Sequence, residues 1–133
     1  MRRDGRTRWA VTAAAVACAG LTAVSPAELA SRRYKFSPNQ NLTVEIRAGG
    51  IAVRSVLFEF PGAVLGIRSA HRARVRVVNE SDGKVKMGLA IALFDADDRL
   101  IGVASGGTRG VSLKPGAETD YSLPFHEVRG SLE

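Results

Sequence analysis

The chain has 133 residues, room for one domain of ordinary size and too few for two. Hydrophobic residues make up 45% and charged residues 24%, the balance of a folded chain rather than a disordered one, with a formal charge of +6. A lone cysteine, Cys18, excludes an internal disulfide and a cysteine-based zinc site, and no uninterrupted apolar run reaches the length of a membrane span.

Residues 1–27 read as a secretory signal peptide. Arg2, Arg3, Arg6 and Arg8 face a single acid, Asp4; Trp9 to Val24 is uncharged and rich in Ala and Val; Ser25-Pro26-Ala27 follows. A cationic start, a short apolar stretch and small residues before a break are the layout of an export signal, with cleavage expected after Ala27. Ala15-Val16-Ala17-Cys18 resembles the lipobox of bacterial lipoproteins, with Ala15 where that pattern has Leu, which makes Cys18 a candidate lipidation site. Four of the nineteen basic and one of the thirteen acidic residues leave with residues 1–27, so the remaining 106 carry +3. That balance argues against nucleic-acid binding, which needs a strongly basic folded surface.

Residues 28–40 hold Arg32, Arg33, Lys35, Pro38 and Asn39 with little periodicity and read as a linker. From Asn41 onward the dominant period is two. Leu42, Val44 and Ile46 alternate with polar residues up to Gly49-Gly50, and Ile51 to Phe60 forms a second strand closed by Pro61-Gly62. Ala63 to Ile67 is a short apolar stretch of ambiguous role. Arg72 to Val77 alternates strictly and breaks at the turn signal Asn79-Glu80-Ser81-Asp82-Gly83, where Asn79 and Asp82-Gly83 tolerate the positive φ that a sharp reversal needs. Val85, Met87, Leu89, Ile91 and Leu93 make the next apolar face, Asp95 to Asp98 turn the chain, and Arg99 to Ser105 follow. After Gly106-Gly107 and a Pro115-Gly116 turn, Thr119, Tyr121 and Leu123 mark a last strand. Short alternating strands closed by Gly, Pro, Asn or Asp predict an all-β chain, an immunoglobulin-like antiparallel β-sandwich over 41–133.

Val77-Val78-Asn79-Glu80-Ser81-Asp82, Ile91-Ala92-Leu93-Phe94-Asp95, Leu100-Ile101-Gly102 and Leu113-Lys114-Pro115-Gly116 together resemble the FxLYD-type domain. The resemblance covers about residues 51–125, with the name-giving motif at Ile91, Leu93, Phe94 and Asp95. It implies a small immunoglobulin-like module of bacterial exported proteins and lipoproteins. The family shares no catalytic residues to carry over.

Arg72, Arg74 and Arg76 share one strand face, and Lys84 and Lys86 follow the next turn. They are the candidate binding residues, a cationic stripe for an envelope protein or an anionic surface. Glu118 and Asp120 alternate outward on a later strand, so cross-strand ion pairs on a solvated face are the competing expectation. Asp95, Asp97 and Asp98 offer oxygen ligands but lack the spacing of a calcium loop, and His71 and His126 are the only histidines. No GxSxG, HExxH or phosphate-binding glycine loop is present. The expectation is an exported, non-catalytic binding or scaffold module of the periplasm or cell envelope, without a cofactor. The alternative is a small exported metal-binding or hydrolytic protein using His71, His126 and the Asp95–Asp98 turn.

Overall fold

The computed structural model describes residues 8–16, 28–60, 71–126 and 128. They form eight strands: β1 (Arg8–Val16), β2 (Glu28–Lys35), β3 (Asn41–Ala48), β4 (Ile51–Glu59), β5 (Arg72–Asn79), β6 (Lys86–Phe94), β7 (Leu100–Gly107) and β8 (Glu118–Pro124). The chain is all-β and its strand pairings are antiparallel. No helix among the described residues is long and apolar enough to cross a membrane.

One sheet has the order β3-β4-β5-β8. The other is built on the β6–β7 hairpin, which β1 and then β2 extend to the order β2-β1-β6-β7. Alternation explains the strands: β5 buries Ala73, Val75 and Val77 and exposes Arg72, Arg74 and Arg76. Val44, Ile46, Val53, Val56, Phe58, Val75 and Val77 from the first sheet meet Leu89, Ile91 and Leu93 from the second in one apolar core. Two bulges interrupt the period in the β3-β4-β5-β8 sheet. Val44 and Glu45 of β3 lie opposite Arg54 alone, and Arg54 is itself extra against β5, so Val53 and Val56 both face inward.

The six strands predicted from 42 onward are present. Gly49 and Gly50 close the β3–β4 hairpin with φ of 53° and 81°, the two-residue turn whose twist matches its strands. A side chain at Gly50 would also collide with Ser81, since a Cβ there would lie 2.6 Å from the Ser81 Cβ. Pro115-Gly116 turns as expected, with Gly116 at φ 72° and the Ala117 amide donating to the Lys114 carbonyl. The 28–40 segment, expected as a linker, instead contains β2. Ala30 and Tyr34 pack against the core, and Arg32 between them breaks the apolar period. Residues 8–16, inside the segment read as an export signal, form β1, hydrogen-bonded to β2 on one edge and β6 on the other. The short apolar segment 63–67, Cys18 and the cleavage position after Ala27 lie outside the described residues.

Asn79 departs most from expectation. Read from the sequence as part of a turn, it instead ends β5, fully buried and without positive φ. Its Nδ2 donates to the carbonyls of Gly83 (2.8 Å) and Leu113 (2.9 Å), and its Oδ1 accepts from the Ser81 amide (2.9 Å) and hydroxyl (2.7 Å). Its backbone amide donates to Ala117 and its carbonyl accepts from Gly116. Every hydrogen-bonding group of the buried amide is therefore satisfied. Asn79→Ala is expected to lower the unfolding free energy by about 3 kcal/mol, because buried carbonyls lose their donors. Ser81→Ala, which removes one acceptor contact, should cost about 1 kcal/mol. Urea denaturation followed by far-ultraviolet circular dichroism checks both, and equal losses would remove Asn79 from its central place.

Candidate functional site

The outer face of the β3-β4-β5-β8 sheet carries the three arginines singled out from the sequence. β5 lies between β4 and β8, so Arg72, Arg74 and Arg76 have neighbours on both sides. Register places Glu59 opposite Arg72 and Asp120 opposite Arg76. Glu59 bridges two guanidiniums, at 3.2 Å from Arg72 Nε and 2.8 Å from an Arg74 terminal nitrogen. Arg76 forms a fork on Asp120, with Nε at 2.9 Å from Oδ1 and Nη2 at 3.3 Å from Oδ2, and its Nε lies 3.5 Å from Glu118. The cross-strand pairs with Glu118 and Asp120 are those expected from alternation on the two strands.

Arg47 pairs with Glu80 at 3.3 Å, and Arg54 donates to the same carboxylate. This face therefore sets five guanidiniums against Glu59, Glu80, Glu118 and Asp120. The hydrogen bond from Arg76 is the largest cause holding the Asp120 carboxyl below its ordinary range, and the same bond raises Arg76. Between β3, β4, β5 and β8 lies a shallow depression of about 310 Å³, lined by Asn41, Ser55, Leu57, Arg74, Arg76 and Asp120. Asn41, Ser55 and Leu57 were not singled out from the sequence. Alternation shows which residues face outward but not which outward residues share a row, and Asn41↔Leu57↔Arg74 is such a row.

Lys84 and Lys86 do not join the stripe. Lys84 is an exposed loop residue and Lys86 begins β6, on the other sheet, so neither lysine shares an element with the three arginines of β5. The candidate metal residues are also separated. Asp95 Oδ1 accepts the amides of Asp97 and Arg99, both at 2.9 Å, which uses that carboxylate to close the β6–β7 hairpin. Arg99 pairs with Asp97 at 3.0 Å, and Asp98 takes φ of 59°. His71 and His126 lie at the far end of the β5–β8 pair, where the Phe125 amide donates to the His71 carbonyl. The His71 ring meets Phe60 edge-on at 4.7 Å with its Nδ1 buried and unpartnered, whereas His126 is exposed. Among the described residues no three His, Cys, Asp or Glu side chains converge as a metal site would require.

The Arg76–Asp120 pair gives a signed pH dependence. Because folding lowers the Asp120 pKa, the pair's stabilisation is fully present above the unfolded carboxylate range. It fades as pH falls through the folded value. Asp120→Asn should lower the melting temperature at neutral pH, and the two proteins should converge once pH has fallen through the folded Asp120 value, below the ordinary carboxylate range. Thermal melts from neutral to acid pH check this, and a constant offset at every pH would assign the loss to packing instead.

Comparison of the chain with family models, with curated proteins and with solved structures returns no match, so the FxLYD-type resemblance rests on the residues that carry it.

Proposed function

We propose that this chain is an exported, non-catalytic binding or scaffold module of the bacterial cell envelope, delivered by residues 1–27 and built as an immunoglobulin-like β-sandwich of FxLYD type. The cationic, apolar and small-residue layout of the N-terminus supports export. Two antiparallel sheets contributing to one apolar core support the sandwich. The observation that carries the binding role is the depression on the outer face, where Arg74 and Arg76 stand beside Asn41, Ser55, Leu57 and Asp120.

The chemistry of that face favours a polar protein surface over a uniformly anionic one. The three arginines stand against three carboxylates, Glu59, Glu118 and Asp120, so the stripe projects little net field beyond a Debye length of about 8 Å. At contact range it still offers guanidinium donors, the Asn41 amide, the Ser55 hydroxyl, the Asp120 acceptor and the apolar Leu57. A partner with alternating donors and acceptors can exchange ion pairs with this face without leaving a buried charge.

In-cell cross-linking of the tagged, exported protein tests the reading, with the Arg72→Ser, Arg74→Ser, Arg76→Ser variant alongside. One enriched envelope partner is expected, lost at least about tenfold in the variant. The ion pairs removed are exposed and add little to stability, so the variant should stay folded, which its circular dichroism verifies. The same partner retained by a folded variant would move the binding surface away from this face.

A further inference from the structure

Export changes the second sheet, and the site inferred from that change rests on the export reading. Cleavage after Ala27, or before Cys18 along the lipoprotein route, removes Arg8–Val16 in either case. Those residues are β1, which pairs with β2 from Arg8↔Lys35 to Ala15↔Glu28 and with β6 from Trp9↔Leu93 to Val16↔Lys86. Removing them parts β2 from β6 by two strand spacings, about 9.6 Å, and leaves the β6 backbone unpaired along one edge.

We infer that the exported chain presents this gap as a strand-accepting site, filled by one extended, largely apolar segment of about eight residues from an envelope partner, antiparallel to β6. The width admits a single strand. A second copy offering its own β6 would bring β7 with it, paired from Gly88↔Gly107 to Phe94↔Leu100, into the place β2 occupies.

β2 is anchored where it stands. Tyr34 packs against the core and its hydroxyl accepts from the Glu45 amide at 3.2 Å. Arg33 lies over the Phe94 ring at 4.9 Å and reaches Asp98 at 3.8 Å, and Phe36, just past β2, meets Phe58 at a centroid distance of 3.9 Å. β2 also runs parallel to β6, so closing the gap would require a different hydrogen-bond pattern as well as the loss of these contacts.

Register states the chemistry of the occupant. Buried Met87, Leu89, Ile91 and Leu93 stand opposite its first set of alternate positions, and half-buried Gly88, Ala90 and Ala92 opposite the second. The fitting segment alternates apolar residues with small ones, as Trp9-Ala10-Val11-Thr12-Ala13-Ala14-Ala15 does.

The probe is a synthetic peptide of residues 8–16, added to the protein purified from the envelope after export. Intact mass comes first. A chain starting at Glu28 or Cys18 supports the export reading, whereas an unprocessed mass overturns both that reading and the site. With the processed chain, the peptide should slow amide exchange at the gap-facing positions of Lys86–Leu93 by at least about tenfold and raise the melting temperature. A Val11→Pro, Thr12→Pro peptide, which lacks backbone donors, should do neither. Two results would overturn the site while leaving export intact: slow exchange on that edge without peptide, or no slowing with it. Sedimentation then separates pairing between copies from closure by β2.

Discussion

Asn79 is the one polar side chain buried out of reach of solvent among the described residues, and the connections of the fold converge on it. After β3 the chain crosses between sheets from β5 to β6 and again from β7 to β8. Asn79 bonds the carbonyl of Gly83 in the first crossing and that of Leu113 in the second. Ser81, held by its Oδ1, sits against Gly50 in the β3–β4 turn, and the Glu80 amide donates to the Gly50 carbonyl. One amide therefore fixes a hairpin and two crossings. An isosteric Leu would bury well but strand those carbonyls, and Asp would set a charge against them. With both crossings tied at one end, the two sheets are held in the relation that lets Ile46, Val53 and Val77 meet Leu89 and Ile91.

The outer face of the β3-β4-β5-β8 sheet follows from that core. Once Val75 and Val77 face inward, strict alternation sends Arg72, Arg74 and Arg76 outward in one column. Three guanidiniums at this spacing repel each other, and carboxylates on both neighbouring strands offset the repulsion: Glu59 on β4, Glu118 and Asp120 on β8. Exposed pairs add little stability. In the proposed binding role, a face of matched charges would select by pattern and contact rather than by long-range attraction.

Period two made the strands from 42 onward legible, since each buries one face on the core. The Pro115-Gly116 turn and the Asp95 cap were legible as well, because their chemistry is confined to four or five residues. Three features were not. β2 hides because Arg32 falls where its apolar period should continue, and only Ala30, Tyr34 and the adjoining Phe36 reach the core. Asn79 reads as a turn residue because its composition cue is the same whether the side chain shapes a local reversal or satisfies carbonyls 34 residues away. The depression around Leu57 depends on register, and the bulges at Val44-Glu45 and Arg54 shift that register by amounts no local pattern reports.

The edges of the two sheets differ in how they meet solvent. β3 carries a bulge together with exposed Glu45 and Arg47, and β8 carries Glu118, Asp120 and Pro124. β2 presents Arg32, Arg33 and Lys35, and β7 is bridged by Val128 at Gly102. Charge, proline, bulges and covering segments are what keep a strand edge from pairing with another chain. The β6 edge facing β1 has none of these between Met87 and Leu93: Met-Gly-Leu-Ala-Ile-Ala-Leu is uncharged, free of proline and in unbroken register. Such an edge is a ready template for another strand. In this structure that strand is β1, and its removal by the export proposed above would leave, among these edges, the one whose composition suits it to be paired.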